Sequence, residues 1–176
     1  MKKFLLFLLF AQAAFAQVTE NVAIWNKFSP EYKNYIDAED MKAVGFNSWD
    51  ISETWAGGNG SFAISNLQTG TIDNPINYNK YIEFKIKCTQ DRFVVLNNFS
   101  FFYLAGDKPS TGEESITKIQ LRYSKNGFAN GSIGEKLKDI NVVASSNFTQ
   151  EVSVFPHGSY IEENETMTIR MYLYGN

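Results

Sequence analysis

The chain has 176 residues, 44% of them apolar and 20% charged, with 15 Phe, 9 Tyr and 3 Trp; this excludes a disordered or Pro/Gly-rich polymer and fits one ordinary globular domain. Its 16 basic and 19 acidic residues leave a formal net charge of −3, which supplies no footprint for a phosphate backbone, so no nucleic-acid partner is expected. One Cys and one His exclude a disulfide scaffold and leave little for metal or nucleophile chemistry.

At the start of the chain Lys2 and Lys3 precede an unbroken apolar run from Phe4 to Phe10, and Ala14-Phe15-Ala16 follows before Gln17. A basic start, a short apolar run and small residues at the two positions a signal peptidase reads predict a secretory signal, cleaved after Ala16. The run is shorter than the roughly 20 residues that cross a bilayer. The expectation is a signal peptide over residues 1–16 and a single domain over 17–176 with no membrane span. The mature chain is then secreted, extracellular or at the cell surface, with the periplasm as the alternative. Without a disulfide, its stability has to come from buried area. Cys88 reads as a small buried apolar residue rather than a reactive thiol.

Residues 22–28, with Trp25 between Ile24 and Phe28, read as a strand. From Pro30 to Val44 the signals favour one short helix, with Ser29 as cap, Pro30 at its first position and Tyr32, Tyr35 and Ile36 on one face. Residues 61–66 are a further strand candidate. From Lys80 to Cys88 the period is two: Ile82, Phe84, Ile86 and Cys88 alternate with Glu83, Lys85 and Lys87, a strand with one wet face. Residues 93–104 are apolar on both faces and broken by Asn97-Asn98, which predicts a strand pair or a long bent strand at the centre of the core. Alternation returns in Ile119, Leu121 and Tyr123, and again in Met167, Ile169, Met171 and Leu173. Residues 137–144 and 149–155 complete the set. Turn chemistry lies between these segments, in Gly57-Gly58-Asn59-Gly60, Gly106-Asp107-Lys108-Pro109, Asn126-Gly127 and Pro156-His157-Gly158. Together they predict an all-β, antiparallel β-sandwich with one short N-terminal helix.

Four pieces carry a family resemblance: Tyr81-Ile82-Glu83-Phe84, the aromatic strand ending at Tyr103, Arg122-Tyr123-Ser124-Lys125-Asn126-Gly127-Phe128, and Thr168-Ile169-Arg170-Met171-Tyr172-Leu173-Tyr174-Gly175. Over residues 80–175 this resembles a β-sandwich module of secreted and cell-surface proteins of Gram-negative bacteria, with the pattern Y-x-E-F, R-Y-S-x-D-G-F and R-x-Y-x-Y-G. That module is often found beside adhesive, nuclease or hydrolase domains and a type IX secretion signal. The resemblance implies a jelly-roll-like sandwich without a catalytic constellation. In the family the pattern usually continues into one more strand, whereas this sequence stops at Gly175-Asn176. The expectation is a sheet one strand short, whose open edge favours self-association or strand addition. No sorting domain of the type IX kind follows in this sequence.

For a ligand site the sequence points to Trp49, Asp50, Glu53, Trp55 and Asn59, within the run from Trp49 to Gly60. Indole faces stack on the C–H side of a pyranose while short polar groups bond its hydroxyls. The alternative is that one or both Trp close one end of the core. Paired acids suggest a glycosidase, which sets two carboxylates about 5–10 Å apart. The acidic groups Asp37, Glu39 and Asp40, then Glu113 and Glu114, then Glu162, Glu163 and Glu165 read as solvated faces instead. His157 lies in a turn without a triad motif, and no G-x-S-x-G, H-E-x-x-H or D-x-D-x-D-G spacing occurs. No catalytic residue, metal or cofactor is expected. The function expected is a non-catalytic secreted or cell-surface module with weak carbohydrate binding. The alternative is a protein–protein assembly or adhesion module working through the open edge, and the outsider is a glycan hydrolase or lyase.

Overall fold

A computed structural model describes residues 20–25, 28–46, 51–52, 63–64, 75–103, 118–143 and 148–175. In chain order the strands are β1 (Ala23–Ile24), β2 (Glu31–Tyr32), β3 (Ile36–Ala38), β4 (Lys42–Val44), β5 (Ile51–Ser52), β6 (Ala63–Ile64), β7 (Tyr81–Cys88), β8 (Val94–Val95), β9 (Asn98–Tyr103), β10 (Lys118–Ser124), β11 (Glu135–Asn141), β12 (Thr149–Val154), β13 (Tyr160–Ile161) and β14 (Thr166–Tyr174). A single turn of 3-10 helix at Ala129–Gly131 is the only helical element among the described residues. The fold is therefore all-β, and every strand pair in it is antiparallel. No helix among the described residues is long and apolar enough to cross a membrane.

The main sheet has six strands in the order β11-β10-β14-β7-β3, with β4 also on β7. The three strongest period-two segments of the sequence, β7, β10 and β14, are its centre. Ile82, Phe84, Ile86, Leu121, Ile169 and Met171 point from them into one buried cluster. Over these, β9 pairs with β12 and β8 pairs with β13. The two ladders run on through Leu96 N–H to Ser159 O (2.9 Å) and Phe155 N–H to Asn97 O (2.9 Å). Ring contacts join the layers: Phe84 to Phe99 at 5.2 Å and Tyr123 to Phe155 at 5.4 Å between centroids. Cys88 is fully buried in this core. Trp25 packs against it, with its ring 5.3 Å from Phe84 and its indole N–H donating to Glu39 O at 3.0 Å.

Two expectations are corrected. Residues 30–44 form strands and turns, not a helix, because Ile36 to Ala38 and Lys42 to Val44 complete the flank of β7 opposite β14. That long-range pairing outweighs the local cap signals. Between the two segments, residues 39–41 face only residues 84 and 85, a one-residue bulge that keeps both Ala38 and Met41 in the core. Second, residues 93–103 of the segment expected at the core's centre are not buried on both faces. They belong to the second layer, and Phe93 and Phe102 are 69% and 65% exposed. The last strand, β14, is itself an inner strand of the sheet, paired with β10 on one side and β7 on the other. The sheet ends at β11 on one side, where exposed Lys136 and Lys138 discourage edge-to-edge pairing, and at β3 and β4 on the other.

The face of β7, β10 and β14 that alternation assigns to water is largely covered. Glu83, Gln120, Ser124, Thr168 and Tyr172 are all buried there. At its centre Arg170 Nε donates to Glu83 Oε2 at 2.8 Å, with side chains only 16% and 7% exposed. The guanidinium carbon lies 3.8 Å from the Tyr81 ring centroid and 4.2 Å from that of Phe128. Burial alone would lower the Arg170 pKa; the Glu83 carboxylate and Tyr172 hydroxyl outweigh it and hold it above its ordinary value. Phe128 reaches this place because residues 125–134 fold back over the sheet. Arg122 holds that segment through Ile133 O (2.6 Å) and Gly134 O (2.9 Å). Gly134 sits at φ +67, and a Cβ there would come within 2.6 Å of Tyr123 O.

Replacing Arg170 by Met is expected to cost about 3 kcal/mol in urea unfolding, because it leaves Glu83 buried without its main partner. The value lies at the low end because Lys85 stays 3.3 Å from Glu83. The double variant Arg170→Met, Glu83→Leu is expected to regain most of that loss. Thr168 Oγ1 is buried with no hydrogen-bond partner among the described residues. Thr168→Val keeps the shape and is expected to stabilise by about 1 kcal/mol in the same assay.

Candidate functional site

At one end of the sandwich the segment from β10 to β11 faces the turn that joins β12 to β13. Between them lies an open groove of about 540 Å³, lined by Tyr123, Lys125, Asn126, Glu135, Ser159 and Tyr160 among others. Each wall is built locally. Ser124 Oγ accepts the backbone N–H of Asn126 (3.1 Å) and of Phe128 (3.3 Å), and Asn126 Oδ1 accepts that of Phe128 as well. Gly127 and Phe128 take positive φ, so the chain reverses tightly and leaves the Lys125 and Asn126 side chains at the groove. Opposite, Ser159 N–H donates to Pro156 O at 3.0 Å around Gly158 at φ +85. This turn presents Ser159 and Tyr160.

The groove mixes a carboxylate, hydroxyls, an amide and aromatic surface. Tyr123 belongs to the core side of β10, yet its hydroxyl reaches the groove and donates to Glu135 Oε2 at 2.6 Å. Tyr160 is 39% exposed and its ring meets that of Phe93, edge to face, at 6.4 Å. Lys125 Nζ lies 4.3 Å from the Tyr160 ring centroid and 2.9 Å from Glu165 Oε2. The same Glu165 oxygen accepts the Glu162 N–H at 2.9 Å. That backbone bond, and then Lys125, hold the Glu165 carboxyl below its ordinary pKa.

A second, apolar cavity of about 60 Å³ lies inside the core beside Trp25, Phe84 and Phe99. It has room for a water or two but not for an organic ligand.

The site residues expected from sequence, Trp49, Asp50, Glu53, Trp55 and Asn59, lie outside the described residues, as do Glu113 and Glu114. Near them, β5 pairs with β6 through Ile51–Ile64 and Ser52–Ala63. Asp37, Glu39 and Asp40 are exposed, and Glu39 is engaged by Lys42 at 2.7 Å and Lys85 at 3.5 Å. His157 is exposed on the turn beside the groove. No group of three or more His, Cys, Asp or Glu among the described residues is placed to hold a metal. Sequence reasoning missed Tyr123, Glu135, Ser159 and Tyr160 as a group. The turn residues on both sides were visible as punctuation, but no local signal says that two turns so far apart in sequence meet. Comparison with protein-family models, curated proteins and solved structures finds no match to this chain.

Burial first, and then the Glu135 carboxylate, push the Tyr123 phenol from 10.0 up to about 12. A raised phenol pKa means that the neutral form favours folding. This contribution is complete below the unfolded value near 10.0 and is lost as pH climbs through about 12. Alkaline absorbance titration should show late-ionising tyrosines, among them Tyr123 and Tyr35, the latter also raised to about 12 by burial and the Glu20 carboxylate. Tyr123→Phe should remove one of these transitions, and an unchanged titration would contradict the assignment.

Proposed function

We propose that this protein is a non-catalytic, secreted or cell-surface β-sandwich module of jelly-roll type that binds carbohydrate in the groove beside Tyr160. The observation that carries the reading is the composition of that groove. Its exposed Tyr160 ring supplies a face for the C–H side of a sugar. Around it stand the Glu135 carboxylate, the Asn126 amide and the Ser132 and Ser159 hydroxyls, short groups suited to ring hydroxyls. A volume of about 540 Å³ is of ligand size, and the open form suits one or two units of a longer chain. The walls are tight, hydrogen-bonded turns, so little ordering cost attaches to binding. Export of the mature chain rests on the basic and apolar pattern of residues 1–16.

A glycan array with purified protein tests this. Binding is expected in the wild type and should fall about tenfold or more in Tyr160→Ala, which removes the stacking face. Glu135→Gln should weaken it less, since the amide still bonds a hydroxyl. Trp49→Ala and Trp55→Ala in the same array decide whether the tryptophan stretch contributes. No retained glycan in any protein would end the carbohydrate reading, and hydrolysis of a bound glycan would end the non-catalytic one.

A further inference from the structure

We infer that the Tyr160 face and the Glu165 carboxylate form a subsite for a ligand ammonium, occupied in the free protein by Lys125, and that the groove therefore takes amino sugars. The inference rests on the carbohydrate reading for its ligand class, while the subsite itself rests on geometry. The Lys125 ammonium is 4.3 Å from the Tyr160 centroid and 2.9 Å from Glu165 Oε2. Those two partners are what a bound ammonium needs, a π face and a carboxylate. The site is pre-built, because Glu165 is fixed by the Glu162 N–H and Tyr160 is held in the ladder opposite Val95. Lys125 is exposed, and it is the only cation lining the groove among the described residues. A long flexible side chain can withdraw from such a place at small cost.

The surrounding charge favours the same ligand. Glu135 lines the groove, and Glu162 and Glu163 are exposed next to Glu165. With Lys125 matched by Glu165, the remaining field is negative, so it attracts an ammonium and repels a uronate. The acidic run at residues 162–165, which sequence alone assigns to a solvated loop, acquires a role in selection.

A tethered competitor lowers apparent affinity by the fraction of time in which the site is free. If Lys125 holds the subsite roughly nine-tenths of the time, removing it tightens amine binding about tenfold. The test is an NMR titration of the whole chain with glucosamine at mildly acidic pH, where the amine is charged, and with N-acetylglucosamine as the uncharged control. Lys125→Met should bind glucosamine about tenfold more tightly than wild type, with shifts at Tyr160 and Glu165, and should prefer it to the N-acetyl sugar, which gains the freed ring face without the carboxylate contact. Lys125→Arg, which keeps a cation, should behave as wild type, and Lys125→Met combined with Glu165→Gln should lose the gain. Equal glucosamine affinity in wild type and Lys125→Met would overturn the subsite, even if neutral glycans still bind on the array. A glucosamine gain without any oligosaccharide binding would leave the subsite standing and sink the carbohydrate module.

Discussion

Arg170 keeps a full positive charge on a sheet face that water barely reaches. A cation there has to be matched by a carboxylate and by polarisable surface, since desolvating it alone costs several kcal/mol. Glu83 supplies the carboxylate from the neighbouring strand, and Tyr81 and Phe128 supply the ring faces. Tyr81 and Glu83 come with β7, but Phe128 arrives only because the whole segment 125–134 folds over the sheet. The demand for shielding above Arg170 and the path of that segment are therefore one constraint.

The groove inherits its shape from this constraint. Once Phe128 is seated, Arg122 ties down the carbonyls of Ile133 and Gly134. Ser124 and Asn126 satisfy the amides of the turn. Lys125, Asn126 and Glu135 are left on the outer side of a rigid loop. The opposite wall is set by an excess of residues in one ladder: β12 and β13 carry Pro156, His157 and Gly158 as a turn where β8 and β9 continue through Leu96 and Asn97. The polar side chains of the groove thus sit on braced turns at the end of a packed frame.

The two layers differ in how they are protected. The six-stranded sheet is covered on both faces over much of its centre, by apolar packing within and by the Arg170 cluster without. The second layer is covered on its inner face, while Phe93, Phe102 and Val154 stand exposed on its outer side. Its inner rings, Phe99 and Phe101, are only partly buried and pack in series at 5.9 Å. The burial that holds the fold together is therefore concentrated in β7, β10 and β14, with no disulfide to support it.

Alternation in β7, β10 and β14 was enough to read an all-β antiparallel fold and its core-facing residues, because period two reports directly on a sheet with one face in the core. The burial of Cys88 and the turns at Asn126-Gly127 and Pro156-Gly158 were legible for the same local reason. What the alternating charged residues do was not legible. Glu83 and Arg170 look like solvent-facing positions, and only pairing across strands 87 residues apart makes them partners. Residues 30–44 carry helix-start signals and still form strands, because β7 has a flank that backbone hydrogen bonds must satisfy. The groove is the extreme case: Tyr123, Lys125 and Glu135 come from the β10–β11 connection and its flanking strand ends, and Tyr160 from the start of β13, brought together by layer packing. Local sequence thus determined which segments are strands and where they turn; tertiary structure decided which charges are buried and which turns face each other, because both depend on contacts that no short window of sequence contains.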